Sequence, residues 1–404
     1  MIIKILILIS YVIENIFDFV LVKLNDSYVK KPLPENVKDV YDEEKYKKWI
    51  NYRNDSKKFS AVQTLVSAAI TLALFIFNVH ARVFNLFTFN KFVNYILLIL
   101  VFTFVSTLIS IPFSYYSNFV IEEKYGFNKT TIKTFILDII KEFVIGMVLM
   151  LILFLGVMFL FEKFGNWGIL FTIIAVIAFN IFVSLFSMVF LRIFNKFTPL
   201  EEGELRDSLK ELCTKYNVKI KEIYVMDASK RTTRANAFCT GFGKKTISLD
   251  DNLVNHYSND KIVAVFAHEF GHAKHKHILK SMWFAFLRII ILIVALGVIL
   301  NFPIICQSFG FEDVNYYFAF MILTTISWPM SRLLDLVSNK ISRTFEYQAD
   351  AFAAKEGYGE PLIGALKQLS QDALTNLNPH PAVVALEYSH PTLSQRIDAI
   401  RKPE

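Results

Sequence analysis

The chain is poor in cysteine, and this scarcity excludes two kinds of site. Cys213, Cys239 and Cys306 are the only cysteines among 404 residues, and they form no even-numbered set and no CxxC pair. Neither a disulfide scaffold nor a cysteine zinc site is therefore predicted. The sequence also lacks internal repeats, low-complexity linkers and any arginine-rich patch with interleaved aromatics. Without such a patch, the net charge of +7 indicates contact with lipid headgroups and not with nucleic acid.

Apolar residues, in contrast, are abundant and gathered in long runs. Hydrophobic residues make up 54% of the chain, Phe alone numbers 40, and mean hydropathy is +0.42. A helix needs about 20 apolar residues to cross a bilayer core. Runs of suitable length lie at 2–22, 59–79, 92–113, 143–161, 167–194, 278–302 and 316–337. The sequence therefore predicts a mainly α polytopic membrane protein with about seven transmembrane helices.

Charged residues are distributed unevenly around these runs. Loops on one side, at 23–58, 114–142, 192–276 and after residue 338, hold most of the Lys and Arg, so this side is predicted to be cytoplasmic. Glu14, Asp18 and Arg288 lie inside runs, and Arg332 and Asp335 lie near the end of the last one. Such groups line hydrated cavities or pair with each other, although Arg332 and Asp335 also fit snorkelling at a helix end.

Residues 268–272 form an HExxH sequence within an apolar-patterned segment. Residues four apart share one face of a helix, so His268 and His272 can bind one Zn²⁺ while Glu269 leans toward a bound water. Three protein ligands leave the fourth position to this water, whose pKa the metal lowers to about 7. Glu269 can then serve as general base and acid. A solvated helix face would have the same spacing, but the apolar surroundings favour a metal site.

A second pair of polar residues offers a third ligand. Glu346 and Asp350 are also four apart, so a helix presents both carboxylates on one face. Either one can bind zinc while the other holds a ligand histidine in the correct tautomer. An ordinary exposed acidic face fits the spacing equally well. We interpret His275 and His277, which follow the motif, as solvated or headgroup contacts and not as ligands.

The polar segment 195–277 predicts a small α+β domain that carries the motif. A helix is predicted over 201–216, a strand over 220–226, and a β-hairpin from 236–240 and 246–249 around the turn 241–245. The hairpin precedes the HExxH helix, and its edge can pair with an extended peptide or serve structural pairing alone. The other predicted divisions are a membrane region at 1–194 with a cytoplasmic loop at 24–58, two transmembrane helices at 278–340, and a carboxyl-terminal segment at 341–404.

Several stretches of the chain match one pattern in order: residues 119–128, 197–203, 229–231, 236–238, 342–350 and 388–393 with Arg396. Together with HExxH, this series resembles the CAAX prenyl protease 1 family of integral membrane zinc endopeptidases. The resemblance covers nearly the whole chain, and chance does not produce such a series. It implies seven helices around a water-filled internal chamber, with a zinc-peptidase site near the cytoplasmic side.

The resemblance also implies roles for single residues at the metal. His268, His272 and Glu346 would bind one Zn²⁺ per chain. Glu269 would be the general base and acid, and Asp350 would support a ligand histidine.

Further positions would contact the substrate. Asn236 and Ala237 would lie on the edge that pairs with the peptide, and His390 and Arg396 would hold the substrate or stabilise the oxyanion. Family substrates are prenylated proteins that end in CAAX and are cut after the modified Cys. Peptide substrate and lipid bilayer are thus the implied partners, and no oligomer is required.

Two other functions stay open at this point. A membrane quality-control peptidase of heat-shock type would share the zinc site, but such proteins are shorter and lack a match to the loop at 122–124. A non-catalytic membrane scaffold would use zinc to tie helices together, yet structural zinc sites have four protein ligands and usually include Cys. Because the chain is shorter than eukaryotic family members and ends without a dilysine-type signal, we expect a bacterial cell membrane, or the endoplasmic reticulum if the source is eukaryotic.

Overall fold

The computed structural model describes residues 1–216, 220–240 and 245–402, and these are mainly helical. The amino-terminal region contains α1 (Ile2–Tyr28), α2 (Glu43–Ile76), α3 (Val79–Phe84), α4 (Lys91–Tyr116), α5 (Ile132–Phe164), α6 (Gly168–Leu185) and α7 (Ser187–Phe194). Asp42, Asn90 and Thr131 cap α2, α4 and α5 by accepting hydrogen bonds from backbone N–H groups of the first turn. These N–H groups have no partner within the helix, so the caps determine where each helix begins.

Five of the described helical stretches are long and apolar enough to cross a membrane, judged by length and composition. They are Ile2–Tyr28, Glu43–Ile76, Lys91–Glu122, Ile132–Leu185 and His277–Leu300. The fourth is 54 residues long and contains both α5 and α6, so it includes two of the predicted spans. The predicted span 316–337 is divided, because one helix ends at Ile326 and the next begins at Trp328. The count of seven spans and the internal chamber stay predictions.

A four-stranded sheet follows the amino-terminal helices and contains the predicted hairpin. Its strands are β1 (Phe197–Pro199), β2 (Ile220–Met226), β3 (Ala237–Thr240) and β4 (Lys245–Asp250), in the order β1-β2-β4-β3. β2 and β4 are parallel, and β3 pairs antiparallel with β4, with Phe238 opposite Ser248. The predicted strand and the paired arms of the hairpin are confirmed, whereas its turn at 241–244 lies outside the described residues. Within the described sheet, β3 is an edge strand.

Helices make up the rest of the described chain. Around the sheet in sequence are α8 (Glu204–Lys215), α9 (Asp251–His256) and α10 (Asn259–Lys274). The carboxyl-terminal part contains α11 (His277–Leu300), α12 (Pro303–Gln307), α13 (Tyr316–Ile326), α14 (Trp328–Ala353), α15 (Gly359–Asp372), α16 (Pro381–Glu387) and α17 (Leu393–Arg401). α14 runs through the predicted division at residue 340, so one helix connects the last apolar run to the carboxyl-terminal segment. The predicted domain limits otherwise stay predictions.

One hydrophobic core gathers distant parts of the chain around α10, including the loop after α4 and helices α15 and α17. This loop is the 119–128 stretch of the family pattern. Its Phe127 is buried in the core, and Asn128 forms a β-bridge with Thr232. Arg234 lies over the Phe127 ring and pairs with Glu122 at 2.9 Å. The loop therefore holds in place the segment that leads into β3.

Four charged residues of the predicted spans are paired with one another. Arg332 on α14 contacts Asp18 on α1, and Arg288 on α11 donates to Asp335 on α14 at 2.9 Å. Pairing, rather than snorkelling alone, thus accounts for Arg332 and Asp335. Both pairs join another helix to α14, the helix that also carries Glu346 and Asp350.

Candidate metal centre

The HExxH motif lies on α10, whose other faces are buried in the core. Phe266 and Phe270 are 1% and 3% exposed. The motif face turns toward α14, and Gly271 permits a close approach there, because a Cβ at this position would lie 2.9 Å from the Cα of Ala349. The close packing of α10 on α14 brings Glu346 next to the two motif histidines.

Three ligand atoms converge between these helices. The Nε2 atoms of His268 and His272 lie 3.1 Å apart, and carboxylate oxygens of Glu346 lie 3.5 Å from the first and 3.2 Å from the second. In a tetrahedral zinc site with bonds of about 2.0–2.1 Å, ligand atoms are about 3.3 Å apart. Glu346 Oε2 is buried and has no hydrogen-bond partner among the described residues. These residues therefore fit a three-ligand zinc site.

A buried ion pair supports His268. The carboxylate of Asp350 is 2.8 Å from His268 Nδ1 and is 0% exposed. Arg396 donates to the same carboxylate at 2.6 and 2.8 Å. Burial alone would raise the pKa of Asp350, but the charge of Arg396 and the hydrogen bond from His268 lower it below its ordinary value. Asp350 is thus an anion that can hold a proton on Nδ1 of His268, which would leave Nε2 free to bind a metal.

His272 is supported by two residues that the sequence analysis missed. Its Nδ1 lies 2.9 Å from Nδ1 of His277, whose Nε2 lies 2.8 Å from Oε1 of Gln348. The interpretation of His277 as solvated is wrong, since this residue is only 3% exposed. α10 ends at Lys274, and Lys276 adopts a left-handed conformation (φ 55°) that returns His277 to the motif. A glycine would have signalled such a turn in the sequence, whereas a lysine does not.

Glu269 lines two cavities beside the ligand atoms. The smaller has a volume of about 180 Å³, and its apolar wall consists of Leu253, Val265, Leu362, Leu366 and Leu369. The larger, about 520 Å³, includes Phe238, Ile278, Met282, Ala285 and Phe345. Burial raises the pKa of Glu269 above its usual range, and the nearby imidazoles oppose that shift. A carboxyl group in this setting is suited to act as a general base and acid.

The smaller cavity is also bordered by the predicted substrate and tail residues Asn236, Ala237, His390 and Arg396. His390 Nε2 lies 3.4 Å from Glu346 Oε1, and the side chain is 63% exposed, so it occupies the open side of the site. Arg396 is 9% exposed and its donors are directed mainly at Asp350. The structure thus brings all nine predicted site residues into one region. Their individual roles stay predictions.

Comparison with known proteins agrees with this geometry. Residues 25–196 match the family model described as CAAX prenyl protease N-terminal, five membrane helices, and residues 199–404 match the model of peptidase family M48. CAAX prenyl protease 1 of Saccharomyces cerevisiae is 33% identical in a match covering 91% of this chain and 88% of the yeast protein. This chain belongs to the CAAX prenyl protease 1 family. The assignment made from the sequence is confirmed.

Other relatives extend the match. The probable CAAX prenyl protease 1 of Schizosaccharomyces pombe is 32% identical, with 92% of this chain and 82% of the relative covered. The crystal structure of S. mikatae Ste24p superposes with a TM-score of 0.91 and 29% identity, and 99% of each chain is covered. The family fold therefore extends from α1 to α17, and the chain is a multi-pass membrane protein of a metallopeptidase family.

Proposed function

We propose that this CAAX prenyl protease 1 family member is a zinc endopeptidase that removes the carboxyl-terminal tripeptide from prenylated CAAX proteins. The observation that carries the proposal is the set of three ligand atoms, all within 4.8 Å of one another, with Glu269 beside them and two cavities next to it. The names of the yeast relatives support the substrate class.

Each residue of the site has a separate role in the proposed reaction. A bound zinc ion would supply Lewis acidity and lower the pKa of a water. Glu269 takes a proton from the attacking water and returns it to the leaving amine. Asp350 holds His268 in the tautomer that leaves Nε2 free. The ion would be held by His268, His272 and Glu346.

Substrate binding is proposed to use the edge of the sheet and the tail. β3 is an edge strand of the described sheet, and Asn236 and Ala237 stand where it meets the smaller cavity. An extended peptide can add to such an edge through main-chain hydrogen bonds. His390, on the exposed side, can donate a hydrogen bond to the carbonyl oxygen under attack, whereas Arg396 acts mainly by neutralising Asp350.

The larger cavity favours an apolar group on the substrate. Its wall contains Phe238, Ile278 and Met282, and it lies beside α11, a candidate membrane span. At about 520 Å³, it has the size of common ligand pockets. A peptide anchored in the bilayer by an isoprenoid would approach this site from the membrane. The Lys and Arg excess of the surrounding loops supports a cytoplasmic position, at a bacterial cell membrane or the endoplasmic reticulum.

The test is cleavage of a farnesylated CAAX peptide by the purified full chain, with zinc and with chelator. We expect chelator-sensitive removal of the tripeptide, and a loss of about 100-fold or more in kcat for Glu269→Gln, since a general acid and base contributes on that scale. Zinc content of the variant should match wild type, which separates loss of the base from loss of the metal. The same peptide without its farnesyl group is the substrate control.

One result would contradict the proposed substrate, and another would contradict the proposed activity. Glu269-dependent cutting of an unfolded membrane protein, with the farnesylated peptide left intact, would establish quality control as the function. Zinc binding without cleavage of any peptide would indicate a scaffold, although three ligands among the described residues favour a catalytic site over a closed structural one.

A further inference from the structure

The first residue of α11 carries a side chain that the mechanism above does not use. His277 lies with its Nδ1 2.9 Å from Nδ1 of the metal ligand His272, on the side of the ring away from the metal-facing Nε2. Its own Nε2 lies 2.8 Å from the amide oxygen of Gln348 on α14. Three side chains from three helices are therefore joined in one line that ends at a metal-binding nitrogen.

With the amide oxygen of Gln348 facing a neutral His277, the hydrogen-bonding chemistry of this line permits one arrangement of protons. An amide oxygen only accepts, so Nε2 of His277 must carry the proton that Gln348 receives. A neutral His277 then has its lone pair on Nδ1, and His272 must donate from Nδ1 to it. His272 consequently has its lone pair on Nε2, the atom that lies 3.2 Å from Glu346 and 3.1 Å from His268 Nε2.

We infer that His277 and Gln348 form a neutral relay that sets the tautomer and ring orientation of His272 for metal binding. His277 is a positioning residue in this relay, because it acts on the metal position through His272, although its ring also borders the larger cavity. The inference rests on the proposed zinc site.

Packing fixes the orientation of the relay. The His277 ring stacks on Phe345 with centroids 4.2 Å apart and planes within 7°. Phe345 and Gln348 are three residues apart on α14, so one face of this helix provides both the stacking ring and the acceptor. The neighbouring face provides Glu346 and Asp350. A ring held at its face and at both nitrogens has little freedom to turn.

Charge explains why this support is neutral. Glu269, Glu346 and Asp350 are already three carboxylates in one site, and Arg396 with one Zn²⁺ balances them. A glutamate in place of Gln348 would add a fourth negative charge to this balance. An amide oxygen orients His277 without adding charge.

The experiment compares zinc affinity of purified full-length variants by competition with a chromophoric chelator. His277→Phe keeps the ring stack but removes both nitrogens, and we expect zinc binding 10- to 100-fold weaker, the range typical of removed outer-shell partners. Gln348→Met should weaken binding in the same direction by a smaller factor, while Gln348→Glu keeps an acceptor and should recover most of the affinity. The visible spectrum of the cobalt(II) form should change in His277→Phe, because the ligand ring is free to turn.

The matched control is His275→Phe. His275 is two residues away and stacks on His277 at 5.5 Å, yet it has no hydrogen bond to His272. It should bind zinc within about twofold of wild type. The double variant His277→Phe with Gln348→Met should bind zinc as weakly as His277→Phe alone, since His277→Phe already removes the contact to Gln348.

Three results would overturn the relay: wild-type affinity in His277→Phe, equal losses in His277→Phe and His275→Phe, or additive losses in the double variant. Thermal unfolding of each variant identifies a loss of folding, and Gln348→Met still tests the relay if His277→Phe does not fold. If the wild type itself binds no zinc, the proposed function is contradicted, and the relay that rests on it is contradicted as well.

Discussion

His268 and His272, the two candidate histidine ligands, have the same chemistry but are held in opposite ways. His268 is backed by a buried carboxylate and a buried guanidinium, Asp350 and Arg396. His272, whose side chain is 20% exposed, is backed by neutral groups at the start of a candidate membrane span. The difference shows that a histidine can be oriented either by a charged pair or by hydrogen bonds between neutral groups.

A comparison of Asp350 with another buried carboxyl group, that of Asp250, shows the effect of Arg396. Asp250, at the end of β4, is 4% exposed, and its Oδ1 has no hydrogen-bond partner among the described residues. Burial, followed by the charge of Asp251, raises its pKa to about 7. Asp350 is buried as deeply, yet its pKa is lowered. Arg396 and His268 therefore account for the anionic state of Asp350.

The largest effect is expected when the charged support is broken. Asp350→Asn leaves Arg396 buried without its main partner, and breaking a buried pair from one side typically destabilises by about 3–5 kcal/mol. Zinc affinity should also fall about 10- to 100-fold, because His268 loses its anionic acceptor. Thermal unfolding and chelator competition measure the two effects.

The double variant Asp350→Asn with Arg396→Met separates these effects. Removing both charges should recover most of the stability while zinc binding stays weak. A double variant as unstable as the single one would show that the ion pair is not the source of the destabilisation.

A change that separates α10 from α14 disturbs the contacts of both His268 and His272, and we expect its effect to be intermediate. In Gly271→Ala the new Cβ would lie 2.9 Å from the Cα and 3.2 Å from the carbonyl oxygen of Ala349, so α10 and α14 must separate. Overpacking of this kind destabilises by about 1–3 kcal/mol. Because Glu346, Asp350 and Gln348 all move with α14, zinc affinity should fall as well.

Gly146→Ala on α5 is the matched control, since nothing lies within 4 Å of a Cβ built there. Its zinc affinity should equal that of wild type, and its unfolding temperature should be equal or higher, because alanine favours a helix interior over glycine. Equal losses in the two glycine variants would point to a general effect of alanine and not to the helix contact.

The smallest effect is expected at Asp250, and it depends on pH. The pKa of about 7 lies above the ordinary value of about 3.9, so the folded state holds a proton between these values that the unfolded state has lost. This contribution to stability is complete below pH 4 and declines as pH rises to 7. Asp250→Asn should therefore gain stability relative to wild type, by about 1–2 kcal/mol, between pH 5 and pH 6.5. A constant difference in unfolding temperature across that range would contradict the raised pKa.

Two pairs of candidate site residues were predictable because helical spacing decides which side chains share a face, whereas the choice of Glu346 as the third ligand came from the family resemblance. His268 and His272, and likewise Glu346 and Asp350, are four residues apart, and no tertiary information was needed to pair them. The alternation of residues in the hairpin arms also predicted β3 and β4 before the structure showed them. Local periodicity thus accounts for most of what was predicted.

The features that the sequence did not predict depend on local interruptions of helices or on contacts between distant residues. His277 was misjudged because a lysine, Lys276, takes the left-handed turn. The run 316–337 is apolar throughout and conceals the division after Ile326. The ion pair of Arg396 with Asp350 joins residues 46 positions apart, and spacing on one helix cannot indicate such a contact.

The turn at Lys276 places His277, which contacts His272, and the helix that carries His268 in different surroundings. His277 is the first residue of a 24-residue helix that is long enough to cross the bilayer, whereas α10 is buried in the catalytic core. A membrane helix adapts to a thinner or thicker bilayer by tilting. Such a tilt of α11 would shift His277 against α14 while the surroundings of His268 stay fixed. Lipid composition would thereby act on His272 and not on His268, and the thickness of the host membrane would affect only one of the two candidate ligands.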